Sequence, residues 1–346
     1  MNRLLTFFCA LALCLADAQA QTGPHACEAV ASAACLFTFQ PVPAGHGTAG
    51  QMHYYASRDA AAVAAGAPTA AFIAVHGFRR DAPKTFNSAL LAMHRAEALG
   101  STLVVAPLFQ VGADEAGRCQ AQGVPPAQAG ELLWTCQSWA EGAAAVNGGG
   151  LTAFAALDAL AAELYRRWPS LRSVTVAGFS AGGQLVQHYI GFADLPVGGP
   201  QRRYLVASPG SWLYFEPVRP AAPAHAPPCT GVNRWKYGTD ALPAGLLRSA
   251  SQARTQYASA EVSYLVGDRD SGNAPGAFYR ILDKSCAAQA QGQYRLQRAV
   301  AYAAYDRDWL EPALAHPLVV VPGCAHDVAC VLASAAVRPV LLKASR

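Results

Sequence analysis

The sequence has 346 residues, a net charge of +4 at pH 7 and a hydrophobic fraction of 53%. A charge this small for the length, with arginine pairs scattered along the chain, argues against a nucleic-acid-binding protein. Beyond residue 20, no apolar run is long enough to span a bilayer, so the sequence predicts no membrane span. The length is ordinary for a single large α/β sheet.

The N-terminal residues have the pattern of an export signal. Arg3 supplies a positive region, residues 4–16 form a mostly apolar run, and residues 18–20 read Ala-Gln-Ala, a small-x-small cleavage site. The sequence therefore predicts a signal peptide over residues 1–20. A single domain over residues 21–346, in a secreted or periplasmic protein, is expected to follow.

Cysteine usage agrees with export. Of the ten cysteines, Cys9 and Cys14 lie in the predicted signal peptide, which leaves an even number and no C-x-x-C pair. Proximity along the chain suggests four disulfides: Cys27 with Cys35, Cys119 with Cys136, Cys229 with Cys286, and Cys324 with Cys330. The alternative is that some of these cysteines are free buried thiols.

Short apolar runs alternate with helical patterns along the chain. Strands are predicted at 36–40, 51–56, 70–75, 102–106, 174–177, 204–207, 262–266 and 318–321. Helices are predicted at 88–98, 154–167, 184–190, 243–256, 295–310 and 331–337, with Pro243 in the first turn of its helix and Pro339 ending the last. This alternation predicts an α/β protein with a doubly wound, mostly parallel sheet and helices on both faces.

Two stretches interrupt the alternation. Residues 107–150 are Gly-rich and irregular, and a connection this long usually carries function or needs tethering. Cys119 and Cys136 could provide the tether. Residues 217–228 are Pro-rich and predict an irregular insertion at the rim of the sheet.

Residues 174–184, V-T-V-A-G-F-S-A-G-G-Q, predict a buried strand, a sharp turn and a helix. The turn fits G-x-S-x-G around Ser180. Gly178, Gly182 and Gly183 would let the helix pass close to the strand without Cβ clashes. Ser180 would stand exposed at the carboxyl edge of the sheet, at a helix N-terminus that favours developing negative charge.

Two further strand ends carry groups that could activate a serine hydroxyl. Asp268 and Asp270 follow one late strand and His326 follows the last, so a nucleophile, a carboxylate and an imidazole would meet at one edge of the sheet. Of the nine histidines, His326 alone combines a late strand end with the chain order Ser, Asp, His. The alternative is that His326 is a structural loop histidine.

Four sequence blocks carry a family resemblance: A-G-F-S-A-G-G-Q at 177–184, W-K-Y-G at 235–238, Y-L-V-G-D-R-D at 264–270 and V-P-G-C-A-H-D at 321–327. The whole mature chain resembles the α/β-hydrolase superfamily, and the first block looks like that of secreted esterases related to polyhydroxybutyrate depolymerases and feruloyl esterases. The resemblance implies an α/β-hydrolase fold and one catalytic domain over 21–346.

The resemblance also implies roles for single residues. A catalytic triad would consist of Ser180, Asp270 and His326, because the superfamily pattern G-x-x-D selects Asp270 and leaves Asp268 as the alternative. The oxyanion hole would use the backbone amides of Ala181 and of Phe78. Arg79 is the alternative to Phe78, and His76 is more consistent with a structural role.

The expected function is a secreted serine hydrolase that cleaves carboxylic esters, small or polymeric, with polyesters and aryl esters as candidate substrates. A peptidase using the same triad and a non-catalytic binding protein are the alternatives. Neither metal nor cofactor is expected, because the sequence lacks H-E-x-x-H, P-loop and dinucleotide-binding motifs. Trp134, Trp139 and Trp212, on predicted rim loops, could bind an acyl or aryl group, although core packing is at least as consistent. The sequence selects no oligomeric state.

Overall fold

A computed structural model describes residues 26–41, 50–62, 66–194, 199–220 and 229–341. The predicted signal peptide lies outside the described residues, as do residues 221–228 of the Pro-rich stretch. None of the described helices is long and apolar enough to cross a membrane.

The described strands form one eight-stranded sheet: β1 (Leu36–Phe39), β2 (Met52–Ala56), β3 (Ala70–Val75), β4 (Thr102–Leu108), β5 (Ser173–Phe179), β6 (Gln201–Ala207), β7 (Glu261–Gly267) and β8 (Leu318–Val321). Their spatial order is β1-β2-β4-β3-β5-β6-β7-β8. The pairs β1–β2 and β2–β4 are antiparallel, and every other pair is parallel. Each strand predicted from an apolar run is present.

The α-helices are α1 (Ala26–Ala29), α2 (Ala82–Arg95), α3 (Ala113–Cys119), α4 (Ala153–Arg167), α5 (Ala181–Phe192), α6 (Ala250–Ser259), α7 (Cys286–Gln289), α8 (Arg295–Tyr305), α9 (Val328–Leu332) and α10 (Arg338–Leu341). Short 3₁₀ segments cover Ala33–Cys35, Ala60–Ala62, Leu99–Ser101, Ser138–Glu141 and Tyr279–Ile281, and a π-helix covers Asp306–Leu310.

Helices cover both faces of the sheet. Successive residues of β3 alternate between two apolar cores, with Ile73 in one and Phe72 in the other. Helices α4, α5, α6 and α8 contribute to the first core, and α2 and α9 contribute to the second. The predicted doubly wound, mostly parallel sheet is therefore confirmed. Because its central strands are buried on both faces, their sequences are continuous apolar runs.

Helix boundaries were predicted less well than strands. The helix predicted at 243–256 begins only at α6, where Ser249 and Gln252 form a capping box. Residues before it form turns, because Gly245 adopts a positive φ of 89° that a helix does not allow. The prediction that Pro243 lies in the first turn of a helix is therefore wrong.

The C-terminal helical pattern divides into two short helices. Helix α9 starts at Val328, where the Asp327 side chain accepts a hydrogen bond from the Cys330 amide at 2.8 Å. Pro339 was predicted to end a helix, and that prediction is wrong. It is the second residue of α10, where its missing N–H costs little. Helix α2 likewise starts at Ala82, earlier than the predicted residue 88.

All four predicted disulfides are present, and they join Cys27 to Cys35, Cys119 to Cys136, Cys229 to Cys286, and Cys324 to Cys330. The third closes the longest loop, with a sequence separation of 57 residues. Disulfides at this density are typical of proteins in oxidising compartments.

Candidate active site

Ser180 lies in a strained turn between β5 and α5. Its φ of 60° and ψ of −119° are rare for a residue with a side chain, and its amide is held by the Ala207 carbonyl at 2.9 Å. A Cβ on Gly178 would lie 2.1 Å from the Gly182 carbonyl oxygen, and one on Gly182 would lie 2.4 Å from the His76 carbonyl oxygen. Glycine at these positions therefore allows the turn to close, as the sequence predicted.

A chain of hydrogen bonds joins the three residues singled out from the sequence. Ser180 Oγ lies 2.8 Å from His326 Nε2, and His326 Nδ1 lies 2.7 Å from Asp270 Oδ2. Because an ionised carboxylate can only accept, Nδ1 carries the ring proton and Nε2 is left to accept from the serine hydroxyl. In this arrangement His326 can take a proton from Ser180.

The His326 ring contacts two phenyl rings, with centroid distances of 4.7 Å to Phe179 and 6.0 Å to Phe278. Its amide donates to the Gly276 carbonyl at 3.0 Å, which ties the loop after β8 to the loop after β7. Burial lowers the pKa of His326, and the nearby Arg295 guanidinium lowers it further, against the opposing effect of Asp270. The neutral, proton-accepting form of His326 therefore persists to lower pH than for a free histidine.

Asp270, rather than Asp268, faces His326. Asp270 is 1% exposed, whereas Asp268 is exposed to solvent. The second carboxylate oxygen of Asp270 lies 3.4 Å from Nη1 of Arg295, which also donates to the Ala277 carbonyl at 2.8 Å. Arg295 was not identified from the sequence, since nothing local distinguishes it from the other arginines.

The loop between β3 and α2 also approaches Ser180. A Cβ on Gly77 would lie 3.7 Å from Ser180 Cβ, so the backbone here runs directly beside the serine. Within the described part of the chain, the amides of Phe78 and Ala181 donate to no other group, and both residues line the same cleft as Ser180. Both amides are thus available to a bound oxygen atom.

His76 and Asp81 hold this loop in position. His76 Nε2 accepts from the Phe109 amide at 3.1 Å, so its Nδ1 carries the proton that is donated to the Gly77 carbonyl at 2.9 Å. Burial lowers the pKa of His76 to about 3, which keeps the ring neutral. Asp81 Oδ1 accepts from the Gly77 amide at 3.1 Å. His76 has the structural role favoured by the sequence, whereas Asp81 was missed.

Solved structures provide an independent comparison. A poly(aspartic acid) hydrolase from Sphingomonas sp. KT-1 is 18% identical, with a TM-score of 0.52 over 85% of this chain and 94% of that one. A poly(3-hydroxybutyrate) depolymerase from Bordetella parapertussis is 19% identical, with a TM-score of 0.55 over 85% of each chain. Together with the strand order and the turn at Ser180, these similarities decide the fold. The chain has the α/β-hydrolase fold. Searches of protein-family models and of curated proteins found no match.

In this α/β-hydrolase fold, Ser180 lies in a cleft of about 570 Å³. Lys236, from the W-K-Y-G block, lines the cleft. Its Nζ lies 3.2 Å from Glu141 Oε1 and 3.4 Å from Asp283 Oδ2. Burial alone would lower the pKa of Lys236, but Glu141, Tyr237 and Asp283 together raise it above its ordinary value. The lysine therefore stays charged and joins three separate segments of the cleft.

The tryptophans predicted as rim residues do not line the cleft. Trp134, Trp139 and Trp212 are fully buried, and Trp212 stacks on Tyr302 with a centroid distance of 4.4 Å. The suggestion that they present flat faces to a substrate is therefore wrong, and they pack in the core. Burial of a large aromatic side chain stabilises the fold, and these three tryptophans are therefore buried even though they lie on irregular segments.

The long segment after β4 is organised around Arg80. This fully buried residue donates to the carbonyls of Phe109 at 2.8 Å, Cys119 at 3.3 Å and Thr135 at 2.7 Å. The Cys119–Cys136 disulfide joins the same segment, and the Phe78 side chain packs against it. The predicted tether is present, together with a buried cation that the sequence did not indicate.

Proposed function

We propose that the chain is an exported serine hydrolase that cleaves carboxylic esters through an acyl-enzyme intermediate. The observation that supports this most directly is the hydrogen-bonded order Ser180, His326, Asp270 beside an open cleft. The similarity of fold to hydrolases agrees with it. Neither the fold nor the cleft volume selects a particular ester.

In the proposed first step, Ser180 Oγ attacks the ester carbonyl carbon while His326 Nε2 takes the hydroxyl proton. The negative charge that develops on the carbonyl oxygen is stabilised by the amides of Phe78 and Ala181. His326 then gives its proton to the leaving alcohol as the carbon–oxygen bond breaks. The products of this step are a free alcohol and a serine ester.

In the second step, water takes the place of the alcohol. His326 accepts a proton from the water as its oxygen attacks the serine ester, and it returns that proton to Ser180 when the acid is released. Asp270 keeps the ring proton on Nδ1 and stabilises the imidazolium without accepting the proton. The overall reaction consumes one ester and one water and regenerates the enzyme.

We further propose that the protein acts outside the reducing cytosol. The four disulfides support this, as does the sequence pattern of residues 1–20. The single domain expected over residues 21–346 would then be the exported enzyme.

The decisive experiment uses the purified protein without residues 1–20 and its Ser180→Ala variant. Both are assayed on p-nitrophenyl esters, feruloyl esters and polyester films, and both are treated with a fluorophosphonate. We expect turnover of at least one ester class, its loss in the variant, and labelling of Ser180 alone. Full activity in Ser180→Ala, or labelling at another residue, would contradict the proposed nucleophile. A folded protein that neither turns over nor reacts would favour a binding role.

A further inference from the structure

The loop that follows Asp270 exposes two large apolar side chains. Phe278 is 54% exposed and Ile281 is 59% exposed, and they lie three positions apart on the same short segment. With Pro275, Gly276 and Tyr279 they line a second cavity of about 450 Å³. We call this surface, residues 275–281, the apolar ledge. Exposed apolar side chains grouped beside a cavity commonly mark a binding surface.

The ledge is held in one conformation by bonds on both sides. Ahead of Phe278, the Gly276 carbonyl accepts from the His326 amide at 3.0 Å, and the Ala277 carbonyl accepts from Arg295 at 2.8 Å. Beyond Ile281, Leu282 is buried and the Asp283 carbonyl accepts from Arg298 at 2.7 Å. The exposed side chains are therefore presented by a fixed backbone.

The backbone conformation of Phe278 also indicates that its surroundings fix the ledge. Its φ of 49° and ψ of 34° fall in the left-handed region, which is unfavourable for a residue with a bulky side chain. Such a conformation persists only when the surrounding structure imposes it. The phenyl ring is thereby directed outward, although burial would be the ordinary outcome for a phenylalanine.

The ledge is continuous with the cleft that contains Ser180. Ile281 lines both the cleft and the second cavity, so the two spaces meet at its side chain. A ligand bound at Ser180 that is longer than the cleft would therefore extend over Ile281 toward Phe278. Arg280, Lys284 and Asn273 also line the second cavity, with Lys284 Nζ 4.6 Å from the Tyr279 ring centroid, so the apolar part of this path is formed by Ile281 and Phe278.

The position of Phe278 indicates which part of an ester would lie there. Its ring is 6.0 Å from the His326 ring, so the ledge lies on the His326 side of the serine. In the proposed mechanism His326 protonates the departing alcohol, and the alcohol oxygen must therefore lie on that side. In that mechanism the amides of Phe78 and Ala181 hold the carbonyl oxygen, so they do not compete for the ledge.

We propose that the apolar ledge is a leaving-group subsite that binds an apolar alcohol chain of about six carbons or more. This inference depends on the proposed esterase function and adds a substrate preference to it. Burying methylene groups against Ile281 and Phe278 would stabilise the transition state of the first step, and so would raise kcat/KM for long-chain alcohol esters.

The test compares methyl, butyl and octyl acetate in the wild-type protein and in the variants Ile281→Ser and Phe278→Asn. Asparagine tolerates the left-handed conformation, so the backbone at residue 278 is retained. We expect the octyl-to-methyl ratio of kcat/KM to fall by about tenfold in either variant. Taking the ratio cancels any effect of the substitution on His326 itself. All three esters give the same acetyl-enzyme, so the difference reports the first step alone.

Two controls make the outcome specific. Leu247→Ser removes a side chain that is 72% exposed but lines neither cavity, and it should leave the ratio unchanged. A p-nitrophenyl acetate and octanoate pair varies the acyl chain instead, and its ratio should also stay within about twofold. An unchanged alcohol ratio in both ledge variants, or a loss confined to the acyl pair, would overturn the subsite. Failure of the wild-type protein to hydrolyse any ester would instead overturn the proposed function.

Discussion

Arg295 sets the electrostatic surroundings of the proposed base. It lies against Asp270, and its charge lowers the pKa of His326 after the effect of burial. The other ionisable groups that act on His326 are Asp270 itself and Asp81 at the start of α2. Removing the guanidinium should therefore raise the pKa of His326, so that the ring becomes protonated, and inactive as a base, at higher pH.

We expect Arg295→Met to move the acidic limb of the kcat/KM profile to higher pH and to reduce kcat/KM at neutral pH by about tenfold, since Asp270 also loses a charged hydrogen-bond partner. The measurement is a pH profile of ester hydrolysis for both proteins. Arg295→Lys is the matched control, because it retains the charge and should restore the position of the limb. A limb that does not move in the methionine variant would show that Arg295 is only a packing residue.

Asp270 and Asp268 offer a direct test of the carboxylate assignment. Asp270→Asn should lower kcat on the order of 10⁴-fold, because the amide no longer holds the required tautomer of His326. Asp268→Asn should have little effect, since that side chain is exposed and does not face the ring. Steady-state assays of the two variants decide between them, and a larger loss at Asp268 would reverse the assignment.

Single residues differed in how well they could be predicted. Ser180, Asp270 and His326 are marked by short motifs at strand ends, so their proximity followed from the rule that parallel strands end at one edge. Arg295, Asp81 and Arg80 carry no such mark. Arg295 and Arg80 act through partners that are distant in sequence, and a single sequence does not reveal such pairs. Asp81 acts on the nearby Gly77 amide, but only through a loop conformation that the sequence does not record.

The loop between β8 and α9 depends on the Cys324–Cys330 disulfide that brackets His326. Its sequence separation of 6 residues means that it contributes less through chain entropy than Cys229–Cys286, with a separation of 57. Its main effect should be on the position of His326. A displacement of about 1 Å at a catalytic group can cost on the order of 10²-fold in rate.

We therefore expect Cys324→Ser/Cys330→Ser to keep its Tm within a few degrees while kcat falls between about tenfold and hundredfold. Cys229→Ser/Cys286→Ser is the comparison, and it should lower Tm by more. Calorimetry and ester assays on the same preparations give both quantities. Unchanged kcat in the first double variant would refute a role of that disulfide in catalysis.

Strands were predicted more accurately than helices, and the reason is physical. A buried parallel strand is apolar along its whole length, so β3 and β5 stand out in the sequence. A helix such as α6 is half-exposed, and its start depends on capping by Ser249 and on the conformation of Gly245, which the helical periodicity does not record. The pattern at 295–310 shows the same limit, because α8 continues into a short π-helix.

The cleft is assembled from segments that are far apart in the chain. Lys236 joins Glu141 to Asp283 across it, and the Cys229–Cys286 disulfide links two of the same segments covalently. The sheet and the serine turn were within reach of sequence analysis, whereas this arrangement was not. It depends on irregular segments whose conformations are set by contacts with each other.

The buried guanidinium of Arg80 has a kinetic consequence for the molecule as a whole. Four carbonyls of the segment that borders the cleft accept hydrogen bonds from it, and a disulfide joins two residues of the same segment. Lid motions can limit the rate of an enzyme, and a lid that opened only at a substrate surface would make the rate rise once the substrate exceeds its solubility. Opening of this segment would break its bonds to Arg80. With p-nitrophenyl butyrate raised through its solubility limit, we expect a smooth saturation curve, and an abrupt rise at that limit would indicate that the anchored segment moves.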